Sequence, residues 1–182
     1  MPEMPLDNFS RVLLKKREVF DSEIGYFTNT YTPEIKKGSF VQDSISFIRK
    51  KATVKGLHFQ KAPFAQAKII TVLAGEIVDY FVDLRPSSKT YLDYGKVIIS
   101  KENKKVLFIP RGFAHGYITT KENTMISYKV DNEYSPDHES AINWQDKVLD
   151  INWPKYNQYF LSEKDKLAKN LKDHNLKNYE NI

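Results

Sequence analysis

The sequence predicts an all-β fold, an antiparallel sandwich or jelly roll with short helices near its C-terminal end. Three observations carry this expectation. Aromatic residues make up 13% of the 182 residues, and Val and Ile are plentiful, which suits a pleated surface. Between residue 12 and about residue 129, short apolar and β-branched runs alternate with turn signals. No periodic segment of helix length lies between them.

The elements follow in order. The first ten residues hold Pro2 and Pro5 and little pattern, and are expected to form an arm. Strand-like runs cover residues 12–14, 26–31, 40–48, 53–59 and 68–73. They continue at 76–84, 96–99, 105–109, 116–119 and 124–130. The punctuation between them is Lys37-Gly38, Ala74-Gly75, Pro86-Ser87-Ser88, Tyr94-Gly95, Glu102-Asn103 and Arg111-Gly112. Past Pro136 the pattern changes, and Trp144 and Trp153 are expected to pin irregular segments. Ser162 is a good N-cap, and Leu167 and Leu171 at helical spacing predict an amphipathic helix in a tail spanning 162–182. With no repeat and no linker, 1–182 reads as a single domain.

Composition removes several function classes. Cysteine is absent, so there is no disulfide framework, no thiolate metal site and no thiol nucleophile. The start of the chain lacks a basic region followed by an apolar run, and no apolar stretch approaches bilayer length, so a soluble cytoplasmic protein without a membrane partner is expected. The formal charge is +5. Much of the lysine lies at Lys164, Lys166, Lys169, Lys172 and Lys177, interleaved with Glu163, Asp165 and Asp173. Mixed charge of that kind reads as a solvated face and not as a nucleic-acid track, whereas a modest positive excess is compatible with a small anionic substrate.

Two of the four histidines stand beside glycines in strand contexts, in Lys55-Gly56-Leu57-His58-Phe59-Gln60 and in Pro110-Arg111-Gly112-Phe113-Ala114-His115. Glycine allows close backbone approach, so one pocket reached from two strands is expected, with an imidazole able to exchange protons at cellular pH. Pro110-x-Gly112-x-x-His115 fits the second half-motif of the cupin jelly rolls. Where a metal cupin carries a His-x-His pair, this chain has His58-x-Gln60. A transition-metal site needs three or four protein donors, so no metal and no cofactor are expected, and His58 is left to act as a base.

Taken together, these segments resemble the dTDP-4-dehydrorhamnose 3,5-epimerases, a cupin-fold family. The resemblance runs from about Phe20 to Asp165. It includes Phe40-Val41-Gln42-Asp43, Gly56-Leu57-His58-Phe59-Gln60, Gln66-Ala67-Lys68, Tyr128-Lys129, Trp144-Gln145-Asp146 and Leu161-Ser162-Glu163-Lys164-Asp165. It implies a cupin-type jelly roll that epimerises a nucleotide-linked 4-keto-6-deoxy sugar by proton abstraction and reprotonation beside the ketone. His58 matches the family's base, Asp146 the carboxylate paired with it, and Tyr128 the acid on the opposite face. Lys68 matches the cation at the 4-keto oxygen. Lys55, Gln42, Ser46, His115, Tyr134 and Asn29 are assigned by the same resemblance to substrate binding, and a homodimer with strand exchange is implied. Read from its neighbours alone, Asp146 is a turn carboxylate.

Departures from the family pattern fall among the nucleotide-binding positions. Ile24 and Asn29 stand where an arginine and a glutamate are usual, and Lys55 replaces an arginine, so a planar fork becomes a point charge. Three alternatives stay open at this point: the same chemistry on another nucleotide sugar or at one carbon only, a 3,4-ketoisomerase, and a non-enzymatic carbohydrate-binding cupin.

Overall fold

The computed structural model describes residues 6–9, 11–36 and 38–176. Its strands are β1 (Leu13–Lys16), β2 (Phe20–Ser22), β3 (Gly25–Phe27), β4 (Gln42–Ile48), β5 (Val54–Gln60) and β6 (Lys68–Ala74). They continue with β7 (Glu76–Asp83), β8 (Tyr94–Ser100), β9 (Lys105–Ile109), β10 (Phe113–Thr119), β11 (Thr124–Val130) and β12 (Glu139–Ala141). Two five-stranded sheets face each other, one ordered β1-β9-β6-β11-β4 and the other β12-β5-β10-β7-β8, while β2 and β3 form a separate hairpin. The strand pairs are antiparallel. The expected all-β sandwich is therefore the observed architecture.

Side-chain alternation along each strand divides the apolar residues into three layers. Between the sheets lie Ile70, Val72, Phe81, Ile99, Leu107, Phe113 and Ile126, closed off at one end by Phe9 of the N-terminal arm. Phe9 is buried and meets Phe81 edge to face at 5.0 Å, so the arm supplies a core residue. The outer face of the β5-β10-β7 sheet holds Leu57, Phe59, Tyr80 and Ile118, and the C-terminal segment lays Trp144, Trp153, Leu171 and Leu176 over it. The other sheet buries Ile69, Val106 and Phe108 under Ile35, Tyr31 and Phe40. The inner faces turn polar where the strands carry His58, His115, Tyr117 and Tyr128 together with Ser46, Lys55 and Lys68.

The C-terminal region departs from expectation. Ser162 does cap a helix, but α1 covers only Glu163–Lys166, and Leu167 is 80% exposed. Leu171 sits in a separate 3-10 turn, Leu171–Asp173. Tertiary pairing wins over helical propensity here: Lys169 bridges to Ile142, and the Asn143 N–H donates to the Lys169 carbonyl at 2.7 Å. Two strands were not expected. β2 is one arm of an exposed hairpin, and β12 follows Pro136, where sequence pattern suggested irregular chain. The run at 26–31 is strand only through Phe27. Lys37, Lys177 and the first five residues lie outside the described residues.

Candidate active site

The local cause of the site is a bulge. Across β5 and β10, His58 is opposite His115, but Lys55 is opposite Tyr117, so β5 spends one more residue than β10 over the same span. The extra residue falls at Gly56, where φ is +104°. A Cβ there would lie 2.6 Å from the His115 carbonyl oxygen and 2.7 Å from Cα of Gly116. Only glycine permits that approach. The bulge re-phases the strand, so Lys55 and His58, an odd number of residues apart, both face inward while Leu57 and Phe59 pack outward.

The two sheets thus contribute opposite walls to one cavity of about 300 Å³. One wall carries Lys55 and His58 from β5, His115 and Tyr117 from β10, and Glu139 from β12. The facing wall carries Ser46 from β4, Lys68 from β6 and Tyr128 from β11. Ser162 and Lys164 close one side.

His58 is held by Asp165, not by Asp146. His58 Nε2 lies 2.6 Å from Asp165 Oδ1, which also accepts the Gly56 N–H at 3.2 Å. Asp165 Oδ2 accepts from the Ser162 hydroxyl at 2.6 Å, and the Asp165 N–H donates back to Ser162 Oγ at 3.1 Å. A reciprocal capping pair at the start of α1 therefore fixes the carboxylate. Burial pushes the Asp165 carboxyl up, but the hydrogen bonds from His58, Ser162 and Gly56 and the His58 charge outweigh it, and the carboxyl ends below its ordinary value. With Nε2 engaged, Nδ1 is the nitrogen left for proton transfer.

Asp146 has a different task. Its Oδ1 accepts from the Val148 N–H at 2.8 Å, and its Oδ2 accepts from the Leu171 N–H at 2.7 Å. It is a buried staple between the Trp144 turn and the C-terminal segment, which overturns its assignment as the partner of His58.

His115 is almost fully buried, with Nε2 2.7 Å from Asp79 Oδ2, so the cavity holds two His–carboxylate pairs. Burial raises the Asp79 carboxyl despite His115 and Lys68. Burial likewise lowers Lys68, although Glu139 and Asp79 pull the other way. Glu139 accepts from Tyr134 Oη at 2.5 Å and pairs with Lys164 Nζ, so Tyr134 reaches the cavity rim through Glu139. Gln60 does not act as a ligand surrogate. Its amide donates to the Phe64 and Glu133 carbonyls at 2.6 and 3.0 Å and accepts from the Ser135 N–H at 2.7 Å, stapling two loops.

Two expected binding residues lie elsewhere within this chain. Asn29 lines a separate groove with Lys15, Arg17 and Glu34. Gln42 is exposed on edge strand β4, donating to Ser44 Oγ at 3.1 Å. Sequence reasoning missed Asp165, Glu139, Tyr117, Ser162 and Lys164. Ser162-x-x-Asp165 was a legible signal, since a capping serine predicts which carboxylate it will hold.

A jelly roll with an imidazole–carboxylate pair on one wall and a tyrosine and a lysine on the other defines an acid–base isomerase of the epimerase class. The sequence profile of dTDP-4-dehydrorhamnose 3,5-epimerase matches residues 7–173. The dTDP-4-dehydrorhamnose 3,5-epimerase of Salmonella typhimurium is 40% identical over 163 residues, covering 86% of this chain and 88% of that one. Its Sinorhizobium fredii counterpart is 40% identical over 158 residues, covering 84% and 80%. Among solved structures, the Bacillus anthracis enzyme with TDP and pyrophosphate bound superposes with a TM-score of 0.86 at 41% identity, covering 90% of this chain and 96% of that one. The Legionella pneumophila enzyme in complex with dTDP-4-keto-L-rhamnose gives 0.85 at 34% identity, covering 93% and 91%. The chain belongs to the dTDP-4-dehydrorhamnose 3,5-epimerase family.

Proposed function

We propose that this protein converts dTDP-4-dehydro-6-deoxy-D-glucose to dTDP-4-dehydro-L-rhamnose by inverting C3 and C5. The observation that carries the reading is the His58–Asp165 pair facing Tyr128 across a cavity that also holds Lys68. Stacked sheets stand about 10 Å apart, room for one sugar ring between the walls. His58 removes the proton beside the ketone, and Asp165 stabilises the imidazolium that forms. Lys68 neutralises the growing charge on the 4-keto oxygen, and the enolate needs no other electron sink. Tyr128 returns a proton from the opposite face, which inverts the carbon. Incubation with the 4-keto sugar in D2O tests this. Label at both C3 and C5 of the epimerised product is expected. Label at one carbon would narrow the activity to a single epimerisation, and none would refute it.

Lys55 and His115 are proposed to hold the diphosphate. A lysine supplies charge without the bidentate geometry of arginine, so binding should weaken with salt. Lys55→Ala is expected to raise KM far more than it lowers kcat, the mark of lost uniform binding. Steady-state kinetics at two ionic strengths check both points. Equal losses in kcat and kcat/KM would instead place Lys55 in the chemical step.

A homodimer also fits the surface. Phe20, Ile24 and Phe27 on the β2–β3 hairpin are more than half exposed, as are Val41 and Ile45 on and beside edge strand β4. A hairpin reaching a second copy would cover that apolar area and bring its Asn29 toward the other chain's cavity. Light scattering should read two chains per particle, and a single-chain mass would remove this role for Asn29. Among the described residues, no helix is long and apolar enough to cross a membrane. A nucleotide-sugar substrate is in keeping with a cytoplasmic location.

A further inference from the structure

Of the charged side chains most deeply buried among the described residues, one has no partner. Asp79, Asp83 and Asp165 pair with His115, Arg85 and His58, and Asp146 gathers backbone amides. Arg17 is 8% exposed, and its Nε is buried without a hydrogen-bond acceptor. Among the described residues its guanidinium forms no ion pair. Burial lowers its pKa, with Tyr26 opposing. A guanidinium still keeps its proton in a protein, so a buried one calls for a counter-ion.

The strand sets Arg17 in a groove open to an anion. Leu13 of β1 packs into the outer layer with Ile35, whereas Leu14 packs into the layer between the sheets. Alternation carries Lys15 and Arg17 to the outer face with Leu13. The Arg17 N–H donates to the Lys104 carbonyl at 2.9 Å and continues the β1–β9 pairing by one residue. Residues 29–35 cover this face and leave a groove of about 330 Å³, lined by Lys15, Lys16, Arg17, Asn29 and Thr32. Glu18 and Glu34 also line it, so three cations meet two carboxylates and one positive charge is in excess. Lys15 Nζ is held by the Glu34 carbonyl, a neutral acceptor that leaves its charge uncancelled. The cavity of His58 and Tyr128 lies on the inner face of the same sheet, so the two sites are separate within the chain.

We propose that this groove is a second anion site, taking the phosphoryl group of a small metabolite, with Arg17 as its buried anchor and Lys15 and Lys16 at its rim. The planar guanidinium fork matches two phosphoryl oxygens at once, and the lysines add point charges beside it. The volume leaves room for the carbon part of a phosphate ester. The proposal does not depend on the epimerase reading.

Melting temperature measured against inorganic phosphate, at constant ionic strength, tests the site. Phosphate is expected to raise the wild-type melting temperature saturably. Arg17→Met keeps the apolar stem and removes the charge, so phosphate should reach half its effect at a concentration at least about 10-fold higher. Without phosphate, Arg17→Met should melt at or above the wild-type temperature, because a buried unpaired charge has gone. Arg17→Lys keeps a charge but not the fork, and a smaller shift of the half-effect concentration is expected. Any phosphate held at Lys55 and His115 acts equally in all three proteins, so the difference between them reads the groove alone. A repeat with glycerol 3-phosphate separates the sources: tighter binding than phosphate assigns the site to an ester, and equal binding to the free ion. The proposal is overturned if phosphate leaves the wild type unchanged or stabilises all three proteins alike. It is also overturned if Arg17→Met melts lower without phosphate, since Arg17 would then have a partner inside the protein.

Discussion

Replacing His58 with alanine is expected to lower turnover by about 10²–10⁴-fold and to remove deuterium exchange at both carbons. The size follows from what is lost: a base at hydrogen-bond distance from its proton, with a carboxylate already oriented to receive the resulting charge. The nucleotide end of the substrate is assigned to Lys55 and His115, so TDP should bind the variant with nearly unchanged affinity, readable by calorimetry. His58 is partly exposed at the cavity wall and is not part of the apolar layers, so folding should survive its removal. Near-normal turnover would take the base out of this mechanism and reopen the carbohydrate-binding alternative. Loss of exchange at only one carbon would mean that a second base serves the other. His115, already paired with Asp79 in the same cavity, would be the first group to test.

How much of the fold and the site is legible in the sequence varies with the physics involved. The strands at Lys105–Ile109 and Thr124–Val130 begin and end where the apolar runs do, because antiparallel pairing and burial there agree with local propensity. His58 and His115 stand out because a glycine beside a strand histidine marks a place where two backbones come close, and the Gly56 bulge is that place. The tail departs from its pattern for an equally specific cause. Leu167 and Leu171 sit at helical spacing, but the bridge between Ile142 and Lys169 ends the helix before the second leucine, and no local pattern announces a long-range pair. β12 is hidden in the same way, since a three-residue strand exists only because β5 offers it an edge. The carboxylate is masked by its neighbours. Asp165 lies in a segment rich in alternating charge, which normally marks a solvated face, yet it is among the most buried acids in the protein.

That contrast makes the comparison of Asp165→Asn with Asp146→Asn decisive for the site. Asparagine keeps the size of the side chain but can neither carry the charge nor fix the same imidazole tautomer. Asp165→Asn is therefore expected to lower kcat on the order of 10²–10⁴-fold, as in other His–carboxylate pairs, with a smaller change in KM. Asp146→Asn should leave kcat per folded molecule close to normal. Its cost is stability, because its carboxylate gathers amides from Val148, Leu149 and Leu171. A loss of about 1–3 kcal/mol is expected if those bonds weaken or break, measured by denaturant unfolding. The pH dependence adds an independent check. The folded Asp165 carboxyl lies below its unfolded value, so its contribution to stability is full above about pH 3.9 and is lost as pH falls through the folded value. Asp165→Asn should thus flatten the acid end of the stability curve below about pH 4 as well as slow the reaction. If Asp146→Asn instead abolished turnover in well-folded protein while Asp165→Asn kept it, the pairing of His58 would have to be reassigned.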